Sequence, residues 1–265
     1  MPESYLFWFW VVPATPIAVA AALRLPQNRS LIVTTVVGLL TLIVYYTASW
    51  GALSVLVQWQ GATLPTGNQA RYLQLMQDGW LTLAALVASP FTVLVALVAI
   101  WVRRESVSDY LALVWPSRLE LARGLVMNFA LLFVWSVAGQ MIGHKTTRII
   151  IFEFQSAQQN GWFGLLLISL CVAAPLTEEL VVRGFLFRGL SQSFLGPVGA
   201  VVLTSAAWAA IHNQYDLFGK SEIFTIGLLY GYLRYRTGST WLTVLIHAAT
   251  NLFILMELAA FFAPV

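Results

Sequence analysis

Charged residues are scarce in this sequence of 265 residues: Asp, Glu, Lys and Arg together make up 9%, while apolar residues make up 59%. A typical soluble domain has about 25% charged and about 45–50% apolar residues. A water-exposed surface on a chain of this length requires far more polar cover. A lipid bilayer is the solvent that tolerates such a surface. The composition therefore excludes an ordinary soluble protein and predicts an integral membrane protein.

Other common features are missing as well. The single cysteine, Cys171, excludes an intramolecular disulfide and provides no cysteine motif for a metal. The first apolar run lacks the basic start of a secretory signal, so we expect it to be retained as a membrane span. The sequence shows no nucleotide-binding glycine loop and no patch for nucleic acid. We therefore expect no organic cofactor, no metal and no nucleic-acid partner.

The sequence does contain long apolar runs. A helix that crosses a bilayer needs about 17–25 mostly apolar residues, and eight segments fit that length. The predicted fold is an all-α, polytopic membrane helix bundle that forms one domain, residues 1–265, with membrane lipid as its surroundings. The predicted spans are residues 5–23, 31–57, 80–102, 124–142, 162–188, 196–212, 222–236 and 241–262.

The distribution of Lys and Arg predicts the orientation of these spans. With eight spans, four basic residues fall on the side of the two termini and ten fall on the opposite side. Basic connections stay in the cytoplasm, so the side with ten is predicted to be cytoplasmic and both termini to lie outside. The location we expect is a bacterial cytoplasmic membrane. The sequence gives no information on the oligomeric state.

Three ionisable residues interrupt the fifth predicted span: Glu178, Glu179 and Arg183. A charged side chain at mid-bilayer costs about 2.5–3.5 kcal/mol on insertion scales, so such residues are usually functional. At about 100° per residue, Glu179 and Arg183 share one helical face and can form an ion pair. Glu178 lies on another face without such a partner. A carboxylate left without a cation can accept a proton, which is what a general base requires.

Two histidines follow in later spans. His212 ends the sixth span, and His247 lies in the eighth, four residues before Asn251. The spacing of His247 and Asn251 places both side chains on one helical face, where each polar group must find a partner. From straight helices rising about 1.5 Å per residue, Glu178 and His212 differ in depth by about 9 Å. The sequence alone therefore does not place His212 at the depth of Glu178.

These pieces occur as Glu178-Glu179-x-x-x-Arg183, Trp208-x-x-x-His212 and His247-x-x-x-Asn251. Together they resemble the motifs of the CPBP family of intramembrane glutamic endopeptidases, which includes the Ras-converting CAAX proteases and bacteriocin-processing or immunity proteins. The resemblance covers about residues 160–255, the predicted catalytic core, whereas no motif matches residues 1–142. This chain has Trp208 where the family most often has phenylalanine, and Val182 where an aromatic residue is common.

The resemblance implies a catalytic role for each of these residues. Glu178 is expected to activate water, with His212 helping to hold it, and Glu179 to support the site through Arg183. His247 and Asn251 are expected to stabilise the oxyanion of the tetrahedral intermediate. The expected function is therefore an intramembrane endopeptidase that hydrolyses a peptide bond of a membrane-associated peptide or protein.

Three other functions remain open from the sequence. Glu178, His212 and His247 are a sufficient set of ligands for a zinc-dependent membrane protease. A non-catalytic scaffold or immunity protein of the same family is a second alternative. A proton-coupled transporter that uses Glu178 and Glu179 as a relay is the third.

Overall fold

The computed structural model describes residues 29–59, 69–145 and 147–262, so the predicted span 5–23 lies outside the described residues. All regular structure within these ranges is helical, which confirms the all-α fold class. In chain order the helices are α1 (Arg29–Trp59), α2 (Gln69–Gln77), α3 (Trp80–Val102), α4 (Val107–Tyr110), α5 (Arg118–Ile142), α6 (Arg148–Gln159), α7 (Phe163–Ser191), α8 (Gly196–Ile211), α9 (Leu217–Thr237) and α10 (Thr240–Phe262).

Five of the described helices are long and apolar enough to cross a membrane: α1, α3, α5, α7 and α10. They coincide with five of the eight predicted spans. The other two predicted spans within the described residues are also helices. Helix α8 is apolar but has only 16 residues, and α9 has 21 residues and carries Lys220, Glu222, Arg234 and Arg236. The predicted segment 222–236 is therefore a helix that is more polar than the other spans.

Local sequence explains where several helices begin and end. Ser117 caps α5, since its hydroxyl accepts from the Glu120 amide while the Glu120 carboxylate accepts from the Ser117 amide. Asp216 caps α9 by accepting from the Gly219 amide. Gly143 and Gly238 follow α5 and α9 in the left-handed conformation, which favours glycine. Polar caps thus mark the ends of largely apolar helices.

The outer surface of the bundle is apolar. Phe133 is 70% exposed and Met141 is 82% exposed on α5. Such side chains are stable against lipid rather than water. Trp115 packs flat on Trp241, with ring centroids 5.0 Å apart, and amphipathic tryptophan rings are typical of the membrane–water interface. The exterior confirms that this is an integral membrane protein.

Helix α7 lies at the centre of the bundle, in contact with α1, α3, α8, α9 and α10. One apolar cluster, which includes Trp208, Tyr230 and Ile246, packs on one side of it. A second cluster, which includes Tyr110 and Ile100, packs on the other side. The helix is not uniformly α-helical, because residues Ser169–Ala173 and Leu180–Leu186 are wound as π-helix. Such wider turns are frequent at functional sites.

Candidate active site

Pro175 explains the first π-helical turn of α7 and places Asn251 beside it. In that turn the Ala174 amide donates to the Ser169 carbonyl, five residues back. The next amide in this pattern would donate to the Leu170 carbonyl, but Pro175 has no N–H. Asn251 Nδ2 of α10 donates to the Leu170 carbonyl instead, at 2.6 Å. Asn251 therefore joins α10 to α7 and still has a second N–H available.

Glu179 and Arg183 form the ion pair that their spacing predicts. Arg183 Nη1 lies 3.2 Å from Glu179 Oε1, and both side chains are fully buried. His247 Nδ1 lies 3.0 Å from the same oxygen. Since a carboxylate accepts, His247 donates from Nδ1 and its Nε2 is directed elsewhere. Glu179 therefore fixes both the arginine and the orientation of the histidine ring.

The surroundings of Arg183 stabilise a buried cation. Its guanidinium carbon lies 4.4 Å from the centre of the Trp208 ring and 5.6 Å from the centre of the Tyr230 ring. The electron-rich faces of aromatic rings attract cations. Arg183 Nη2 also donates to the Gly227 carbonyl at 3.4 Å. A Cβ at Gly227 would lie 3.2 Å from this nitrogen, so the missing side chain permits the close approach.

Glu178 faces a different neighbour and is only half-buried. Trp208 Nε1 donates to Glu178 Oε2 at 2.6 Å. Within residues 29–59, 69–145 and 147–262, no ion pair involves Glu178. The sequence prediction that Glu178 lacks a cationic partner is therefore confirmed for the described residues. It missed the indole donor, although Trp208 is part of the motif that ends at His212.

Trp208 also links the two histidines to this carboxylate. Its ring centroid lies 5.2 Å from that of His212 and 5.5 Å from that of His247. His212 Nδ1 is 2.7 Å from the Trp208 carbonyl. Because a carbonyl only accepts, Nδ1 carries the hydrogen, and Nε2 of the neutral ring keeps a free lone pair. Straight helices place Glu178 and His212 at different depths in the membrane. In the structure Trp208, one turn before His212, contacts both residues.

Three further residues near Glu178 were not identified from the sequence. Tyr45 of α1 and Tyr215 of the α8–α9 connection are both within electrostatic range of Glu178 and Glu153. Burial, followed by the charges of Glu222 and Glu178, raises the pKa of Tyr215 to about 12, so this phenol keeps its hydrogen at neutral pH. Tyr45 is far from the motifs in sequence, and Tyr215 follows His212 by three residues but belongs to none of the motifs.

Glu153 of α6 is the third of these residues. Burial raises the pKa of Glu153, although the Thr82 hydroxyl, which donates to its Oε1 at 2.7 Å, acts in the opposite direction. The sequence signal that could have identified Glu153 is an acidic residue among the apolar positions of an amphipathic helix. Glu153 adds a second carboxyl group to the side of the bundle where Glu178 lies.

The zinc-dependent alternative requires a cluster of side chains that can bind the metal. Within the part of the chain that the structure describes, no three His, Cys, Asp or Glu side chains are arranged to hold a metal ion. His247 donates to Glu179, and His212 contacts the Trp208 carbonyl. Glu178, His212 and His247 thus surround Trp208 without converging on one point, and the zinc alternative has no ligand cluster here.

Comparison with known proteins gives a family match and a curated relative. Residues 160–253 match the family described as "Type II CAAX prenyl endopeptidase Rce1-like". An "Uncharacterized 24.3 kDa protein" of Escherichia coli is 35% identical over 95 residues, which are 34% of this chain and 43% of that protein. The chain thus spans less than half the length of this curated relative.

The matched segment contains the six predicted site residues, which are Glu178, Glu179, Arg183, His212, His247 and Asn251. No solved structure gives a significant match. The family resemblance seen in the three motifs is confirmed: residues 160–253 of this integral membrane protein match the Rce1-like domain model, consistent with the CAAX protease family.

Proposed function

We propose that this chain is an intramembrane endopeptidase of the glutamic type, in which Glu178 activates the attacking water. The observation that carries the proposal is the contrast between two adjacent carboxylates. Glu179 is fully buried and contacts both Arg183 and His247. Glu178 is half-buried, and its hydrogen-bond partner is the neutral indole of Trp208. Glu179 is therefore held by Arg183 and His247, whereas Glu178 remains able to accept a proton.

In the proposed reaction a water molecule is held between Glu178 and His212. The free lone pair of His212 Nε2 accepts one hydrogen of the water, and Glu178 removes the other as the oxygen attacks the peptide carbonyl. Glu178 then returns this proton to the leaving amine as the C–N bond breaks. No proton is left over, so the carboxylate is regenerated in each turnover.

His247 and Asn251 are proposed to stabilise the oxyanion of the tetrahedral intermediate. Asn251 has one amide hydrogen left after its bond to the Leu170 carbonyl. His247 donates to the Glu179 carboxylate from Nδ1, and as an imidazolium its Nε2 carries a second hydrogen that can donate to the oxyanion. Donors fixed before the reaction are typically worth about 100-fold to 1,000-fold in rate each. Arg183 contributes indirectly, by fixing Glu179.

The proposed substrate is a peptide segment that reaches the site from the membrane. A leader peptide, a bacteriocin precursor or a small membrane protein fits a bacterial cytoplasmic membrane better than a prenylated protein. We propose one domain, with residues 160–255 as its catalytic core and both termini outside, in keeping with four basic residues on one side and nine on the other once Arg183, which lies within α7, is left out. The reaction as proposed uses no cofactor and no nucleic-acid partner.

The test compares peptide cleavage by the detergent-purified full chain and by Glu178→Gln, with a library of membrane-peptide sequences as substrates. We expect Glu178→Gln to lower kcat by about 100-fold to 10,000-fold, because it removes the base while retaining the shape. Glu257→Gln is the matched control, since it makes the same change at an exposed carboxylate of α10.

Other outcomes distinguish the alternatives. Equal cleavage by the wild type and Glu178→Gln contradicts the glutamate mechanism. Loss of activity with a chelator and recovery with zinc favours the zinc alternative. Absence of product from the whole library with the wild type favours the non-catalytic scaffold.

A further inference from the structure

A second group of cations, the buried Arg234 and the half-buried Arg188, lies away from the candidate active site, where α7 and α9 end. Arg188 is in the last turn of α7, and Arg234 is in the last turns of α9. Arg234 is only 5% exposed, and its charge interacts with that of Arg188. Arg234 Nε donates to the Thr240 hydroxyl at 3.0 Å, and its guanidinium lies 5.3 Å from the Phe187 ring centre. Neither contact supplies a negative charge.

No carboxylate among the described residues forms an ion pair with either arginine. Glu105 is in the same part of the bundle, but it is paired with Arg103 at 2.7 Å. The carboxyl ends of α7 and α9 each contribute about half a negative charge, which does not neutralise two full cations. Buried charges in proteins are normally paired, whereas these two arginines have no counter-charge among the described residues.

Unpartnered hydrogen-bond donors converge on the same place. Arg188 Nε, Tyr110 Oη and Thr34 Oγ1 are all buried, and none has a hydrogen-bond partner in the described residues. Tyr110 is within electrostatic range of Arg188, and Thr34 packs directly against Gly189. Tyr110 and Thr34 lie close to each other without meeting the geometry of a hydrogen bond. Together the group offers several donors and two positive charges.

We propose that this group, Thr34, Tyr110, Arg188 and Arg234, is a binding site for a phosphate group. Guanidinium groups suit phosphate oxygens because their N–H groups form parallel hydrogen bonds, and hydroxyl groups can donate to the remaining oxygens. The aromatic pair of Trp115 and Trp241 marks the neighbouring membrane interface, the level at which lipid phosphates lie. The site is independent of the proposed protease activity.

The experiment measures thermal unfolding of the full chain in a zwitterionic detergent with three additions, each titrated separately. These are phosphatidylglycerol, phosphatidylcholine with the same acyl chains, and inorganic phosphate. Binding to the folded state raises the unfolding midpoint as the ligand concentration increases. A shift with phosphatidylglycerol alone identifies an anionic lipid headgroup, and a shift with inorganic phosphate identifies free phosphate. Either result supports the site. Phosphatidylcholine carries the same phosphodiester but is neutral overall because of its choline cation, so no shift, or equal shifts with both lipids, shows no preference for an anionic phosphate and overturns the site.

Variants connect any shift to these residues. Arg188→Gln is expected to weaken the apparent affinity by at least about tenfold, because it removes a charged donor. Arg236→Gln is the matched control, an exposed arginine in the same last turn of α9, and it should keep the wild-type shift. Tyr110→Phe should keep the stability of the ligand-free protein while reducing the ligand-induced shift. Wild-type shifts in both Arg188→Gln and Tyr110→Phe would falsify the proposal.

Discussion

Helix α7 carries two arginines, the buried Arg183 and the half-buried Arg188, whose surroundings balance charge differently. At Arg183 the chain provides the partners itself, namely Glu179, the Gly227 carbonyl and two aromatic faces. Five residues later, Arg188 faces Arg234 instead of a carboxylate. A charge removed from water must be compensated, either by the protein or by a ligand. The first region is therefore a preassembled scaffold, and the second is open to an external anion.

Breaking the ion pair at Arg183 should give the largest effect. Arg183→Met leaves the Glu179 carboxylate buried beside His247 without its cation, and loss of one partner of a buried pair costs about 3–5 kcal/mol of stability. Arg188→Met removes an uncompensated cation, so we expect no loss of stability in the absence of anionic lipid. Unfolding of both purified variants in zwitterionic detergent measures the difference.

The double variant Glu179→Gln with Arg183→Met is the control for this result. It removes both charges together, so it should recover much of the stability lost in Arg183→Met. Similar losses for Arg183→Met and Arg188→Met would show that the two regions do not differ in charge compensation.

The second prediction concerns the neutral partner of Glu178. Trp208→Phe keeps an aromatic face over Arg183 but removes the indole N–H that donates to Glu178 at 2.6 Å. A hydrogen bond to a charged group contributes about 1.5–3 kcal/mol, so kcat should fall about 10-fold to 100-fold while KM stays close to the wild-type value. Steady-state peptide cleavage measures both constants.

Trp241→Phe is the matched control, because Trp241 stacks on Trp115 away from the site. It should leave kcat unchanged. An unchanged kcat in Trp208→Phe would contradict a role for this indole in holding Glu178, whereas the Glu178→Gln test of the mechanism would still stand.

The third prediction tests why Asn251 is bound to α7. Asn251→Ala leaves the Leu170 carbonyl without a donor, which should cost about 1–3 kcal/mol of stability. Pro175→Ala restores the backbone N–H at position 175, which can donate to the Leu170 carbonyl within α7 itself. Asn251→Ala should therefore cost less in the Pro175→Ala background. A double-mutant cycle of unfolding free energies measures this coupling, and strict additivity would contradict it.

The sequence predicted contacts within one helix better than contacts between helices. The Glu179–Arg183 pair follows from a spacing of four residues, and the described spans follow from long apolar runs. The Trp208–Glu178 bond joins residues 30 apart, and its register depends on how α8 packs on a π-wound α7. Side-chain packing between helices sets that register, and a straight-helix estimate does not include it. The Arg188–Arg234 group has no sequence motif at all, since its members meet only in the folded bundle.

The smallest expected effect is at an exposed ion pair, where water compensates the charges that the bundle interior cannot. His144 Nε2 lies 2.9 Å from Asp216 Oδ2, and Asp216 also caps α9. The Gly219 amide, followed by His144, holds the pKa of Asp216 below its usual value. A lowered pKa contributes stability above the unfolded pKa of about 3.9, and this contribution is lost as pH falls through the folded pKa.

Asp216→Asn keeps the cap, so its unfolding midpoint should fall less steeply than that of the wild type on acidification below about pH 4. Parallel slopes for the two proteins would show that this surface pair, unlike the buried one at Arg183, contributes nothing measurable.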